Sequence, residues 1–217
     1  MTARLTTRMI TRLIVLLIVV VLAPGAAGRR LENIPPPGTG TAYLAGQLLV
    51  ATPQLKGPIF HHTVIFMFRH GPGGAMGIII NRPSQAVPLT ELLRNFRIDD
   101  IDGVEPDDEM TVFFGGPVKR RLGMVLHSTD FATPETITIN RFASATGAGA
   151  ALRAIAEGRG PQRALLAVGF AGWAPGQLEQ ELARNSWVVA PADENFLFDT
   201  EFDTKWQRAF DRRGVDL

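Results

Sequence analysis

The side chains best suited to chemistry in this sequence are four histidines. His127 is the strongest candidate for general acid–base work, because histidine alone titrates near neutral pH without help from its surroundings. His61 and His62 are adjacent, so in an extended segment their rings would point to opposite faces. No metal-binding spacing such as His-X-His accompanies them. The pattern favours ordinary loop or sheet histidines and predicts no metal site.

A second candidate is the segment 164–190, which reads as strand, glycine-rich turn, short helix and strand. Trp173 lies between glycines, and Gln177 and Glu181 lie four apart, so they share one helical face. Glu179 is two residues from Glu181 and diverges from it by about 200°. The two glutamates therefore cannot act as a facing carboxylate pair. The segment predicts the wall of a binding pocket.

Two further groups could bind an anion. Asn81 and Arg82 end a strand-like run, and the planar guanidinium suits a carboxylate or phosphate, although an ion pair with a nearby acid is the alternative. Gly115 and Gly116 could offer backbone amides to an anion, or form a plain turn. No serine lies in a Gly-X-Ser-X-Gly motif, so a hydrolase triad has no support. The candidate ligand-binding residues are Asn81, Arg82, Gly115, Gly116, His127, Trp173, Gln177 and Glu181.

The elements that must position these residues include more strands than helices, and the strands come in runs. This order favours an α+β fold over alternating α/β. Strands are predicted at residues 47–51, 63–69, 76–81, 111–114, 123–128, 135–140 (an edge strand), 164–169, 187–190 and 194–198. Helices are predicted at residues 88–96, 148–157 and 177–182, and in a final segment that Asp203 caps.

The first 28 residues have the three-part pattern of a secretory leader. Three arginines precede an apolar run from Leu13 to Ala23, and small residues follow. The run is short for a spanning helix, which needs about 20 apolar residues. A cleaved signal, an uncleaved membrane anchor and a non-functional extension are the alternatives. The sequence thus divides into a leader (1–28), a Pro/Gly linker (29–43) and one domain (44–217), which is exported or anchored if the leader is real.

Composition excludes several classes of protein. The chain has no cysteine, which excludes disulfides, zinc–thiolate sites and cysteine nucleophiles. Without the three arginines of the leader it holds 19 basic and 21 acidic residues, a net charge of about −2. Its basic runs, 119–121 and 212–213, are short, while residues 99–109 carry seven acids. The charge pattern does not support direct nucleic-acid binding.

Several ordered blocks of the sequence are similar to the AlgH/YqgE family of bacterial proteins. They are GQLLVATP at 46–53, GAMGIIINRP at 74–83, FFGGPV at 113–118, MVLHS at 124–128, VGFAGWAPGQLEQEL at 168–182, NSWVVAPAD at 185–193 and the LFDT…WQRAF tail. The resemblance covers roughly residues 44–215. It implies a single α+β domain with a mixed, strongly curved sheet and several short helices. It also implies transcriptional regulators linked to alginate production, with no established biochemical activity.

The function expected from the residues and the resemblance together is that of a regulatory or interaction protein that works without catalysis. The alternatives are a small-ligand-binding domain with a pocket near Arg82, Gly116, Trp173 and Gln177, and, more weakly, a hydrolase or transferase that uses His127. No cofactor is expected, and the partner is an unknown protein or small molecule. The resemblance implies a cytoplasmic location, which is the alternative to export or anchoring for this chain. If the export-like leader is real, direct regulation of transcription becomes implausible.

Overall fold

The structure is a computed structural model that describes residues 43–99 and 108–214. The described residues belong to one compact unit, Thr39–Leu217. The predicted leader, nearly all of the linker and most of the acidic segment lie outside the described residues. No helix in the described part of the chain is long and apolar enough to cross a membrane.

Ten strands and five helices are formed by the described residues. The strands are β1 (Leu48–Ala51), β2 (Val64–Gly71), β3 (Gly74–Ile79), β4 (Pro83–Pro88), β5 (Glu109–Phe114), β6 (Val118–His127), β7 (Ile137–Thr138), β8 (Ser144–Gly147), β9 (Ala164–Trp173) and β10 (Trp187–Ala190). The helices are α1 (Leu89–Asn95), α2 (Ala148–Ala156), α3 (Gln177–Ala183), α4 (Glu194–Phe198) and α5 (Phe202–Asp211).

The strands form a single curled sheet, an open half-barrel, in the order β10-β1-β2-β3-β9-β6-β8-β7. Pairing is antiparallel except between β5 and β9, which run parallel, and β5 in turn pairs with β4. The predicted α+β class and single mixed, curved sheet are therefore confirmed. β9 is the central strand, because it pairs with β3, β5 and β6.

β9 is longer than its sequence predicts. The glycine-rich stretch after residue 169 predicts that the strand ends there, and this prediction is wrong. The strand continues to Trp173, and Gly169 bends it with a φ of 72°. The first half of β9 pairs with β5 and β6, and the second half pairs with β3. Because glycine adopts a positive φ without steric cost, Gly169 curves the strand rather than ending it.

Helices cover both faces of the sheet, which explains why its inner strands are apolar on both sides. Leu48 and Val50 of β1 pack in the cluster that includes α4 and α5. Leu49 and Ala51 point the other way and pack with Leu178 of α3. α1 and α2 bury their leucines against β6 and β9 in a third cluster.

Most predicted elements are confirmed within a few residues of their ends, but the strand predicted at 194–198 is wrong. These residues form α4, because the carboxylate of Asp193 accepts a hydrogen bond from the backbone N–H of Phe196 at 2.9 Å and caps the helix. Asp203 lies in the first turn of α5 and makes no cap hydrogen bond. β4 and β8 were not predicted, because neither has a run of alternating apolar residues.

Candidate functional site

Trp173, Gln177 and Glu181 meet in one place, which we call the tryptophan–glutamate cluster. Glu181 Oε2 accepts a hydrogen bond from the indole Nε1 of both Trp173 and Trp187, at 2.9 and 2.7 Å. Glu181 Oε1 accepts from Gln177 Nε2 at 2.9 Å. Gln177 Oε1 in turn accepts from the backbone N–H of Ala174 at 3.0 Å. The polar groups of the cluster are therefore paired with one another.

The cluster joins α3 to two strands of the sheet. Trp173 and Trp187 are only 7% and 3% exposed, and their rings meet edge to face at 6.0 Å. Glu179 points elsewhere and contacts His70 Nε2 at 2.9 Å. As the helical spacing predicts, Glu179 and Glu181 serve separate partners. Buried indoles need an acceptor for their N–H groups, and a single carboxylate provides it for both.

Asn81 and Arg82 lie at the opposite end of β3 from this cluster. Trp173 pairs with Ala75 near the start of β3, whereas Asn81 and Arg82 follow its last residue, Ile79. The residues proposed from sequence to line one pocket are thus distributed along the length of a strand rather than gathered at one end of it.

The side chains of Asn81 and Arg82 hold the loop between β1 and β2. Asn81 Oδ1 accepts from the backbone N–H of Val64 at 2.8 Å, and Asn81 Nδ2 donates to the carbonyl of His62 at 2.9 Å. The Arg82 guanidinium donates to the carbonyl of His61. One donor of the guanidinium is used in this contact, and four more N–H groups remain on it.

Five side chains, two of them from this loop, stack on one another, and we call them the aromatic column. The ring centroids of successive members are 3.8, 3.9 and 5.4 Å apart, with interplanar angles of 22–25°. A guanidinium carbon lies 3.9 Å from the last ring. The members, in stacking order, are His61, His62, Trp206, Phe210 and Arg213.

The prediction that His61 and His62 point to opposite faces is wrong. His62 has a φ of 53°, so the backbone is left-handed there and the two rings lie parallel on one side. Parallel rings cannot share a metal ion, because the ion must lie in the plane of each imidazole at about 2.0 Å. In the part of the chain that the structure describes, no group of three or more potential ligands could hold a metal.

His62 is the column member with a perturbed acidity. Partial burial between the neighbouring rings lowers the pKa of His62 below its ordinary 6.5, and the charges of His61 and Arg82 lower the pKa further. His62, the second member of the column, therefore carries a neutral imidazole at neutral pH.

Gly115 and Gly116 lie close against the backbone of β9. The N–H of Gly115 donates to the carbonyl of Val168 at 2.9 Å, and its carbonyl accepts from Ile79 at 3.0 Å. A Cβ on Gly116 would lie 2.2 Å from the carbonyl carbon of Phe170. These glycines allow the turn before β6 to press against the bend of β9, and the amide of Gly115 is already paired.

His127 lies in a third part of the structure, inside the sheet at the end of β6. Its side chain has no exposed surface. Nδ1 lies 2.8 Å from the carbonyl of Ser128, which can only accept, so Nδ1 carries the proton. Nε2 is then an acceptor and receives the hydroxyl of Thr146 at 2.8 Å, and Thr146 Oγ1 lies 2.7 Å from Thr136 Oγ1. Burial lowers the pKa of His127, while the Ser128 carbonyl and Asp130 oppose this effect.

Ser128 follows His127 but is not activated by it. The hydroxyl of Ser128 donates to the carboxylate of Asp130, and this bond holds the pKa of Asp130 below its ordinary value. Asp130 also accepts from the backbone N–H of Gln162 at 2.9 Å. In a serine hydrolase the hydroxyl donates to a histidine base. The geometry here instead closes a turn at the end of β6.

Comparisons with known proteins support both the family that the sequence blocks indicate and the fold of the sheet. A model of the AlgH-like family matches residues 48–217. The chain belongs to the AlgH-like family. It is 46% identical over 185 residues to a UPF0301 protein of Afipia carboxidovorans, which covers 82% of this chain and 88% of the relative. It is 44% identical over 178 residues to a UPF0301 protein of Jannaschia, at 81% and 91% coverage.

Solved structures of similar proteins share the fold. The solution structure of the AlgH protein from Pseudomonas aeruginosa is 34% identical in sequence and superposes with a TM-score of 0.69. It covers 83% of this AlgH-like chain and 94% of its own. A crystal structure from Corynebacterium diphtheriae, at 20% identity and a TM-score of 0.62, shows the fold alone. The family is one of uncharacterised proteins.

Sequence reasoning missed two features of this AlgH-like protein. The aromatic column depends on the left-handed backbone at His62, which no local sequence pattern predicts. Lys205 lies on α5 with no exposed surface, although lysine is rarely buried. Its position one residue before Trp206, on the apolar side of the last helix, was the available clue.

Proposed function

We propose that this AlgH-like protein works without catalysis, as a regulatory or interaction protein that uses the aromatic column as its recognition surface. The observation that carries the proposal is that His61 and His62 are exposed, yet their rings are already stacked in fixed positions. Side chains that are ordered before binding lose little conformational entropy on binding. Packing of α5 on the sheet accounts for Trp206, whose indole donates to the carbonyl of Ala51, but not for the two exposed histidines.

The residues best suited to acid–base chemistry favour this binding role. His127 has no exposed surface, and both of its ring nitrogens have partners. Glu181 accepts three hydrogen bonds within its own cluster. A general base must come within hydrogen-bond reach of its substrate. A hydrolase or transferase that uses His127 is the weaker alternative, and it would need β6 to open.

Regulation of transcription, which the family resemblance implies, is indirect in this proposal. Direct DNA binding requires a cluster of cations that releases counterions, and such binding weakens steeply with salt. The body has a net charge of about −2. A titration of duplex DNA at several salt concentrations should show no salt-dependent affinity. A steep salt slope would contradict this part of the proposal.

The test of the recognition surface compares the partners of two variants of the full chain. Proteins and small molecules retained by the purified chain are identified by quantitative mass spectrometry. The double variant His61→Ala, His62→Ala should lose its specific partners by about tenfold or more, which is about 1.4 kcal/mol of binding energy. Lys56→Ala, an exposed change in the same loop, is the control and should retain them. Equal retention by both variants would overturn the proposal.

A small-ligand role is the second candidate, because Arg82 lies beside the exposed rings. A flat ring with an anionic group would stack on His61 and meet the guanidinium, and base–aromatic stacking contributes about 1–3 kcal/mol. Adenosine monophosphate and adenosine are matched probes, and the readout is the tryptophan fluorescence of the chain, in which Trp206 is the indole that lies in the column. The phosphate should improve affinity in the wild type but not in Arg82→Gln, which keeps a donor for the carbonyl of His61. No response to either probe would leave only the interaction role.

A further inference from the structure

Near its start, strand β6 (Val118–His127) carries a bulge of basic residues. Val118 pairs with Phe170, and Gly123 pairs with Val168. The four residues between them, Lys-Arg-Arg-Leu at 119–122, stand opposite Gly169 alone, so they must leave the plane of the sheet. All four are exposed. We call this segment the basic loop.

The basic loop combines positive charge with apolar surface. Leu122 is 42% exposed and is the large hydrophobic side chain that stands out to solvent among the described residues. Within the described ranges, none of the three cations lies within ion-pair distance of a carboxylate. The Arg120 guanidinium lies 5.8 Å from the centre of the Phe114 ring. Lys119 has a φ of 45°, a conformation that costs a lysine energy.

We propose that the basic loop docks the domain onto a phospholipid bilayer that carries anionic headgroups. Lys119, Arg120 and Arg121 meet the phosphates, and Leu122 enters the boundary between headgroups and acyl chains. Three adjacent cations beside an exposed leucine favour this occupant, because a bilayer offers anionic headgroups directly next to an apolar layer. An acidic polypeptide would also meet the cations, but it would offer no apolar layer for Leu122.

The expected contact is weak and selective for charge. Each lysine or arginine near an anionic surface strengthens binding about fivefold, so three give about 100-fold preference over a neutral surface. The body is slightly acidic overall, but a Debye length of about 8 Å at physiological salt limits repulsion from distant carboxylates. If the apolar run from Leu13 to Ala23 is retained as an anchor, the basic loop is a second contact on the same chain, and two linked contacts reinforce each other.

The test follows the loop itself in the full chain. Because the chain has no cysteine, Leu122→Cys provides a single site for an environment-sensitive apolar fluorophore. The labelled protein is reconstituted in nanodiscs of phosphatidylcholine alone, or with about 30% phosphatidylglycerol to supply the anionic surface. We expect the emission to shift to the blue only in the anionic discs. The same label at Arg159→Cys, an exposed site after α2, should not respond.

Charge reversal separates the loop from the rest of the protein. Arg120→Glu with Arg121→Glu should abolish the shift at the labelled loop, while Arg153→Glu with Arg159→Glu, two exposed arginines, should preserve it. Unchanged urea midpoints establish that the variants fold. An equal shift in neutral discs, or a shift that survives reversal of Arg120 and Arg121, would overturn the proposal. An equal response to soluble polyglutamate would assign the loop to an acidic polypeptide and also overturn it.

Discussion

At the scale of single residues, the carboxylate of Glu181 determines how the two buried tryptophans are satisfied. It accepts from Trp173 and Trp187 on one oxygen and from Gln177 on the other. Glu181→Gln turns one acceptor into a donor. In one orientation the new NH₂ group faces Gln177 Nε2, and in the other it faces both indole N–H groups, so at least one contact becomes donor to donor. We expect the free energy of unfolding to fall by about 1–3 kcal/mol, measured by urea unfolding followed by tryptophan fluorescence.

The control for this variant is Glu91→Gln in the exposed first turn of α1, which should change stability by less than about 0.5 kcal/mol. If the two variants were equally stable, the three hydrogen bonds of Glu181 would contribute nothing to the fold.

The buried His127 makes stability depend on pH. Its pKa is lowered by burial, so between about 6.5 and the folded pKa the unfolded chain binds the proton more readily. Its contribution is therefore present above about pH 6.5 and lost as the pH falls toward the folded pKa. His127→Asn keeps a donor for the carbonyl of Ser128. It should lower the free energy of unfolding at neutral pH by about 1–3 kcal/mol and flatten its decline between about pH 7 and pH 5.

His62 also has a lowered pKa, so urea midpoints of His62→Asn over the same pH range separate the two histidines. An identical decline in His127→Asn and the wild type would show that His127 is not the group responsible.

At the scale of elements, Lys205 fixes the corner between α4 and α5. Its ammonium lies 3.2 Å from Asp199 Oδ1, and 3.4 and 3.1 Å from the carbonyls of Leu197 and Asp199. The rings of Phe196 and Phe202 each have their centre 5.4 Å from it. Burial lowers the pKa of Lys205, and Asp199 opposes the shift. The ammonium therefore supplies a hydrogen-bond donor to both carbonyls.

Lys205→Met should therefore destabilise the domain by about 3 kcal/mol, because the buried carbonyls lose their donor while Asp199 keeps Arg208 at 2.9 and 3.0 Å. The midpoint of urea unfolding measures the loss. Lys56→Met, at an exposed position, is the matched control and should leave the midpoint unchanged. A stable Lys205→Met variant would mean that the ammonium does not hold the corner, and that the phenylalanines and the Asp199–Arg208 ion pair are sufficient.

The bend of β9 makes a second prediction at this scale. A Cβ on Gly116 would lie 2.2 Å from a backbone carbon of Phe170, and backbone atoms cannot move aside as a flexible side chain does. Gly116→Ala should lose more than about 4 kcal/mol or fail to fold. Gly149→Ala, in α2 with no atom within 4 Å of the added carbon, should gain up to about 1 kcal/mol from helix propensity. Thermal unfolding of the pair measures the difference, and similar losses in both would contradict the contact.

At the scale of the whole molecule, the domain should fold without its leader. Thr39–Leu217 is one compact unit, and the AlgH structure of Pseudomonas aeruginosa covers 83% of this chain with 94% of its own. A chain that begins at residue 39 should have the same free energy of unfolding in urea as the full chain, within about 0.5 kcal/mol. Circular dichroism measures both. A clear loss of stability would show that residues 1–38 take part in the fold.

Most of the sheet could be predicted from the sequence because its strands are short apolar runs between turn residues. The hydrogen-bonding partners of the candidate site could not be predicted. Gln177 and Glu181 share a helical face by spacing alone, but Trp187, which completes the cluster, comes from a separate strand. His127 is correctly placed on a strand, yet its burial depends on the neighbouring strands β8 and β9 and on the ring of Phe131. Predictions that rest on local backbone geometry succeeded where the backbone is regular, and failed at His62 and Gly169, where φ is positive.

By itself, the sequence determined the family, the α+β class and the order of most elements, because strand and helix periodicity and the family's ordered blocks are properties of neighbouring residues. The tertiary structure alone decided which polar groups are buried with hydrogen-bond partners inside the fold and which are exposed to solvent. Glu181 and His127 resemble site residues in the sequence, but hydrogen-bond partners inside the fold satisfy them, among them Trp187 and Thr146 from other strands. His61, His62 and the basic loop acquire their exposure from a left-handed turn and a break in strand pairing. Burial and hydrogen-bond satisfaction depend on contacts between distant residues, and local sequence does not contain them.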